Sequence, residues 1–368
     1  MGTMFDYIQW RGDLTFTQDP PNCVDALIFS TLSYIGYGGL VESQPEQSVL
    51  LRDAAALFFT MENVENKVRV EKDLELLRKA AECTRFGYTK IVRYRDVLIP
   101  EQETQFAAMT FLLDDGTAFL AFRGTDYSLV GWKEDFNMSF RQTVPAQLLA
   151  QQYVREVAAE YAMPMRLGGH SKGGNLAVFA AARVGPLLQK QILEVYNHDG
   201  PGFTQYMMGD PGYLAMVPRI RTYIPESSVI GMLLEHEESY VVVKSRSVSL
   251  LQHDPYSWEI LGRGFITAED ISEDSRFLDA AIKTWFAEMT DQERGRLVDV
   301  LFTLLGTGGV ESALDIFHPR NTLAYLKTLS ADDNMRKVLS GEFQSFLEAA
   351  RRARSRFENE QKKLEEAQ

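Results

Sequence analysis

One serine of this chain has surroundings that suit it to nucleophilic attack. Ser171 is the centre of a Gly-x-Ser-x-Gly pentapeptide, which lies between the apolar-leaning stretch 165–167 and the Ala-rich stretch 175–182. This pattern predicts a strand, a strained turn and a helix in immediate succession, with the serine hydroxyl exposed beside the helix N-terminus. Gly169 and Gly173 occupy positions where a side chain would collide with neighbouring backbone. The chemistry indicated is acyl transfer through a covalently modified serine.

Such a serine needs a general base, and the sequence contains five histidines. Where the serine lies on a strand–turn–helix of this kind, the acid and then the histidine follow it in the chain. His253 follows Ser171, in a polar turn after the predicted strand 240–245, and it is our predicted base. For the others we expect structural roles: packing or loop hydrogen bonding for His170, the polar end of a short helix for His236, and a place in the C-terminal helical region for His318.

Two acidic residues are candidates to orient the base. Asp199 follows the predicted strand 191–197, and Glu226 follows the next predicted strand, 219–224. Asp254 adjoins His253, but neighbouring side chains rarely orient each other correctly. From the residues alone, the choice between Asp199 and Glu226 stays open.

A second motif precedes the serine. The stretches 106–113 and 117–122 predict two strands of a hairpin, joined by the turn Asp114-Asp115-Gly116. The second strand leads into Phe122-Arg123-Gly124-Thr125, where Gly124 allows a sharp turn, and Trp132 and Asp135 follow.

In this order, the two motifs resemble the class 3, fungal-type lipases of the α/β-hydrolase superfamily. The stretches 195–203, 224–231 and 252–258 resemble more closely still a lipase-like bacterial family of unassigned function, the Mbeg-like family. The resemblance runs from about residue 22 to residue 264. It implies an α/β-hydrolase fold, in which a mostly parallel central sheet is flanked by helices.

The resemblance also assigns roles. It favours Asp199 as the acid, and it makes the backbone N–H of Thr125 one donor of an oxyanion hole. The other donor is expected to be the N–H of Lys172, the residue after the nucleophile. Lys172 replaces the leucine usual in class 3 lipases, which places a cation beside the site and argues against an all-apolar entrance.

The predicted function is that of a serine hydrolase that cleaves a carboxylic ester, such as an acylglycerol or phospholipid, through acyl-Ser171. The same groups also suit a thioesterase or acyltransferase, and a non-catalytic binding or regulatory protein could retain the fold. A lid over the site is predicted in residues 204–218 or in the C-terminal helices. The alternative for residues 203–208 is the start of a helix packed on the core.

Composition narrows the partners. The chain has 38 basic and 51 acidic residues and a net charge of −13, which argues against nucleic acid. The same charge limits membrane contact to a transient one at a local patch. We expect no metal and no cofactor, since Cys23 and Cys83 form neither a metal-ligand spacing nor a disulfide framework. With no signal peptide and no 18-residue apolar segment, the sequence predicts a cytoplasmic location.

The pattern of the chain predicts two parts. Residues 1–265 form the α/β-hydrolase domain, which includes a helical N-terminal segment at about 22–86. Residues 266–368 form a helical C-terminal region, which ends in the charged helix 351–368.

Overall fold

The computed structural model of the chain describes residues 2–41, 48–126, 128–307 and 319–366. Its centre is an eight-stranded sheet in which the strands lie in the order in which they occur in the chain. These strands are β1 (Val49–Leu50), β2 (Lys90–Ile99), β3 (Thr104–Leu112), β4 (Ala118–Phe122), β5 (Met165–His170), β6 (Ile192–His198), β7 (Ile220–Pro225) and β8 (Tyr240–Val243).

The sheet has an antiparallel and a parallel half. Strands β1 to β4 pair in antiparallel fashion, and β4 to β8 pair in parallel. The carboxyl ends of five strands therefore meet at one edge, which is where ligand sites form in open α/β sheets. A further two-stranded ribbon consists of β9 (Ile260–Leu261) and β10 (Gly264–Phe265).

Both faces of the sheet are covered because its central strands are apolar on both sides. In β4, Phe119 and Ala121 contribute to a core shared with the N-terminal helices, and the alternate residue Leu120 contributes to a core shared with the helices 145–161 and 172–183. We call the tight turn at Ser171 the elbow. The helices before it and the one that starts from it are α1 (Met4–Arg11), α2 (Cys23–Leu32), α3 (Leu51–Phe58), α4 (Glu71–Glu82), α5 (Thr84–Gly87), α6 (Leu129–Asn137), α7 (Pro145–Tyr161) and α8 (Lys172–Arg183).

The remaining helices follow the elbow. Short helices α9 (Pro186–Gln189), α10 (Gln205–Met208) and α11 (Pro211–Met216) connect the parallel strands, and α12 (Glu273–Ala287), α13 (Asp291–Leu305), α14 (Pro319–Ala331) and α15 (Asp333–Glu366) form the C-terminal region. Leu129 of α6 packs with Val298 and Phe302 of α13. The C-terminal region therefore contacts the helix that follows residues 123–126, which we call the Thr125 loop.

The sheet topology confirms the expected α/β-hydrolase architecture. Strand β2 was missed by sequence analysis, although it is one of the longest. The expected short helix before His236 is wrong, because residues 231–236 form turns and a single bridge. Within 204–218, Met207, Tyr213 and Met216 are buried, which favours the packed-helix alternative for this segment. The boundary at residue 265 stays a prediction.

Candidate active site

Ser171 lies between the end of β5 and the start of α8, in a backbone conformation that residues other than glycine rarely adopt. Its φ of 58° and ψ of −134° fall outside the ordinary regions for L-residues. A Cβ at Gly169 would lie 2.1 Å from the Gly173 carbonyl carbon, and one at Gly173 would lie 2.1 Å from the Phe122 oxygen. The predicted steric roles of both glycines are confirmed. The elbow is tight because β5, α8 and the end of β4 meet backbone to backbone.

The acid and base candidates are hydrogen-bonded to each other. Asp199 follows β6, and His253 ends a 3-10 turn that spans Ser249–His253. His253 Nδ1 lies 2.6 Å from Asp199 Oδ2, and the other carboxylate oxygen accepts from Ser228 Oγ at 2.5 Å and from the Gly231 N–H at 3.1 Å. Because a carboxylate only accepts, Nδ1 carries the proton and Nε2 of a neutral ring has a free lone pair.

Glu226 follows β7 as expected, but its side chain makes no hydrogen bond with His253 in the part of the chain that the structure describes. Among these same residues, no hydrogen bond joins Ser171 Oγ to His253 Nε2. His170, the residue before Ser171 in the chain, lies next to His253: the centroids of the two imidazole rings are 4.5 Å apart.

His170 fixes the position of the His253 backbone. Its Nε2 lies 2.7 Å from the His253 carbonyl oxygen and therefore donates to it, while Nδ1 accepts from Tyr34 Oη at 3.0 Å. Burial, together with the nearby His253 and Arg69, holds the pKa of His170 well below its usual value. The ring is thus neutral and satisfied at both nitrogens, in agreement with its expected role in loop hydrogen bonding.

The helical N-terminal segment holds the same turn from the other side. Asp254, next to the base, lies 3.4 Å from Lys72 Nζ and 3.9 Å from Arg69 Nη2. The Tyr256 hydroxyl donates to Asp73 Oδ1 at 2.6 Å. Together with the His170 hydrogen bond, these contacts form a clamp around His253, the candidate base.

Two backbone N–H groups adjoin the elbow. A Cβ at Gly124 would lie 2.5 Å from the His170 oxygen, so the Thr125 loop lies directly against the nucleophile turn. Within the described residues, neither the Thr125 N–H nor the Lys172 N–H has a hydrogen-bond acceptor. N–H groups without an acceptor, on two segments that lie against each other, are what an oxyanion hole requires.

Lys172 does not supply a cation to the entrance, because its side chain is only 1% exposed. Its Nζ donates to the Gln105 carbonyl oxygen at 2.9 Å, to Gln105 Oε1 at 2.7 Å and to Glu134 Oε2 at 3.1 Å. Asp135 Oδ1 lies 3.6 Å away. The expectation that Lys172 places a cation at the entrance is therefore wrong. Its ammonium group is instead part of a buried ionic network beneath the Thr125 loop.

Asp135 connects that network to Thr125, whose hydroxyl donates to Asp135 Oδ2 at 2.5 Å. The Asp135 side chain is 30% exposed, but its Oδ1 is enclosed and has no hydrogen-bond partner among the residues that the structure describes. Burial raises the pKa of Asp135 to about 6, although Lys172 and the Thr125 hydrogen bond act to lower it. Arg123 holds the same loop through Asp96 Oδ2 at 3.1 Å and Asp96 Oδ1 at 3.0 Å.

The remaining histidines that the structure describes, His198 and His236, have no hydrogen bond to the Ser171 hydroxyl within the described residues. His198 is buried among aromatic rings, and burial lowers its pKa to about 3. His236 bonds Glu238 and the Gly231 carbonyl. His318 lies outside the described residues. Nothing in the described ranges forms a metal-binding group of His, Cys, Asp and Glu, and no helix there has the length and apolarity to cross a membrane.

A protein-family model described as Mbeg1-like matches residues 80–303, more than half of the 368 residues. The chain belongs to the Mbeg1-like family. This match confirms the lipase-like α/β-hydrolase relationship expected from the motifs. No curated protein matches this Mbeg1-like chain significantly.

Solved lipases show distant similarity to this Mbeg1-like protein. A Rhizomucor miehei lipase propeptide complex is 14% identical over 60% of this chain and 67% of that chain, with a TM-score of 0.37. A fungal lipase–inhibitor complex is 14% identical over 60% and 79%, with a TM-score of 0.38. Lipase II from Rhizopus niveus is 17% identical over 44% and 68%, with a TM-score of 0.32.

Proposed function

We propose that this protein is a serine hydrolase that cleaves carboxylic esters, acylglycerols or phospholipids among them, through an acyl-Ser171 intermediate. The observation that carries the proposal is the Asp199–His253 hydrogen bond beside a strained serine elbow. A structural serine in an ordinary turn needs neither the unusual backbone conformation nor a neighbouring carboxylate-bound imidazole.

In the proposed reaction, Ser171 Oγ attacks the acyl carbon while His253 Nε2 accepts its proton. The carbonyl oxygen becomes an oxyanion and is bound by the N–H groups of Thr125 and Lys172. Asp199 stabilises the imidazolium that forms. Collapse of the tetrahedral adduct breaks the bond to the alcohol oxygen, which takes the proton from Nε2. Water then attacks the acyl-enzyme by the same route, releases the carboxylic acid and regenerates Ser171.

The Thr125 hydroxyl is engaged with Asp135, so the proposal assigns the oxyanion contact to its N–H alone. The free N–H groups at the start of α8 add the positive end of the helix dipole to this position. Lys172 contributes through its backbone, and its side chain secures the loop from below.

The test is covalent labelling with a fluorophosphonate probe, followed by mass spectrometry of the modified peptide. We expect the wild type to carry the label on Ser171, and Ser171→Ala and His253→Ala to lose it. Ser330→Ala, a change in α14 away from the elbow, is the matched control and should label normally. A wild type that takes no label and cleaves no ester of any chain length would leave the non-catalytic alternative.

If the wild type takes the label, fresh unlabelled enzyme would next be offered matched oxygen esters and thioesters, with and without an added alcohol acceptor. Preferential cleavage of oxygen esters to the free acid supports the hydrolase. Faster thioester cleavage, or transfer of the acyl group to the alcohol in preference to water, would assign the same residues to a thioesterase or an acyltransferase. The cytoplasmic location stays a prediction.

A further inference from the structure

Three large aliphatic side chains protrude from the turn that precedes His253. Val248 is 71% exposed, Leu250 is 60% exposed and Leu251 is 69% exposed. Isolated exposed leucines are common on protein surfaces, but three within four residues form a contiguous apolar tip. We refer to Val248–Leu251 as the apolar turn.

The apolar turn is held in place at its base, so its exposure is part of the fold. The buried Gln252 accepts from the Ser227 N–H at 2.7 Å and donates to the Ser247 carbonyl at 3.1 Å. The Trp258 indole N–H donates to the Gln252 carbonyl at 2.9 Å. Ser249 has a φ of 51°, a left-handed conformation that non-glycine residues adopt only when their surroundings impose it.

The charges along this segment differ from those of the whole chain. No acidic residue occurs between Ser239 and His253, whereas Lys244 and Arg246 precede the apolar turn. The net charge of the chain is −13. The next acid, Asp254, is paired with cations of the helical N-terminal segment. Arg246 also lies near Asp6, so the charge that favours a surface with anionic headgroups above a hydrocarbon layer comes mainly from the exposed Lys244.

The location of the turn favours the same partner. Leu251 lies two residues before His253, so an object that covers the apolar turn also lies beside the candidate base. We propose that the apolar turn docks the protein onto an anionic phospholipid surface, with its three aliphatic side chains among the acyl chains. Delivery of a lipid-borne ester to Ser171 rests on the proposed function, whereas the docking itself does not.

The docking is tested with the full chain carrying Ser171→Ala, so that no hydrolysis alters the lipid. Binding is measured by co-sedimentation with phosphatidylcholine vesicles that contain phosphatidylglycerol, and with phosphatidylcholine alone. We expect binding to the anionic vesicles that weakens with salt, and at least a tenfold smaller partition coefficient for Leu250→Asp with Leu251→Asp. The matched control is Leu187→Asp, because Leu187 is 78% exposed on α9, at the opposite end of β6 from Asp199.

Insertion is observed directly with Val248→Trp. Its fluorescence should shift to the blue on anionic vesicles and be quenched by brominated acyl chains. The proposal would be overturned if the anionic vesicles bind neither the Ser171→Ala protein nor its Leu187→Asp control. It would also be overturned if they bind the double aspartate variant as well as that control. A dimer that dissociates when the same two aspartates are introduced would also overturn the proposal, because a second copy of the chain would then be the partner of the apolar turn.

The two proposals fail in different ways. If the wild type binds vesicles but cleaves no soluble ester, the proposed function is wrong and the docking stands. If the wild type and the double aspartate variant cleave soluble short-chain esters equally, yet the wild type never binds vesicles, the hydrolase stands and the docking is wrong. Both are supported when the double aspartate variant keeps its activity on soluble esters and loses it on vesicle-borne ones.

Discussion

Replacing Lys172 with methionine tests whether the buried ionic network supports the Thr125 loop. Methionine fills a similar volume but has no charge and no N–H. The substitution removes three hydrogen bonds, two to Gln105 and one to Glu134, and leaves Glu134 fully buried without its cation. Breaking a buried ion pair from one side typically costs about 3–5 kcal/mol.

The lower end of that range applies here. Glu134 keeps two backbone donors, the N–H groups of Gln105 at 3.0 Å and Ala146 at 2.9 Å, which continue to stabilise its charge. We therefore expect Lys172→Met to lower the free energy of unfolding by about 3 kcal/mol, equivalent to a Tm about 6 °C lower for a domain of this size. A looser Thr125 loop should also slow fluorophosphonate labelling of Ser171, by about tenfold.

Calorimetry and labelling kinetics provide the measurement. The matched control is Lys133→Met on the same helix as Glu134, because Lys133 is also ion-paired but is 22% exposed. Its loss should cost no more than about 1 kcal/mol. Adding Glu134→Gln to Lys172→Met should recover part of the lost stability, since the uncompensated charge disappears. A Lys172→Met protein that melts within about 2 °C of the wild type would refute this account of the network.

The remaining predictions concern the acid, a buried histidine and the elbow. Asp199→Asn should lower the rate of ester cleavage by about 10³–10⁴-fold because the base loses its tautomer control, whereas equal effects of Asp199→Asn and Glu226→Gln in a steady-state assay would contradict the choice of acid. Burial lowers the folded-state pKa of His198 to about 3, below its unfolded value of 6.5, so its contribution to stability is present above pH 6.5 and is lost as the pH falls. His198→Phe should flatten the denaturation profile between pH 6.5 and 3 by up to ~1.4 kcal/mol per pH unit, and an unchanged slope would exclude this contribution. Gly169→Ala should cost about 3 kcal/mol or more in urea denaturation because its Cβ would meet backbone at 2.1 Å, whereas Gly209→Ala has open space.

Local sequence signals were sufficient to predict the turn at Ser171 and the order of the candidate site residues along the chain. The strained position of Ser171 and the close approach at Gly169 and Gly173 follow from residue types that few other structures require. The hairpin before Thr125 was also readable, since its two strands are apolar and joined by a short polar turn. The ends of successive strands then placed Asp199 and His253 at one edge of the sheet.

Contacts between distant parts of the chain could not be read in this way. Lys172 gave no sign of its partners, because Gln105 and Glu134 belong to other elements and neither residue type is diagnostic. The hydrogen bond from His170 to the His253 carbonyl depends on the folded path of two loops. Strand β2 was missed because its charged residues interrupt the apolar alternation, which the bulge near Arg93 also disturbs.

The clamp around the base has a consequence for what the family region can do alone. The stretch recognised as Mbeg1-like starts at residue 80, whereas Arg69, Lys72 and Asp73 come before it. A protein trimmed to that stretch would keep Ser171, Asp199 and His253 and lose the groups that fasten Asp254 and Tyr256. The part of the chain that the family model matches is therefore not the whole of the part that holds His253 in place, because the contacts of Arg69, Lys72 and Asp73 come from the helical N-terminal segment.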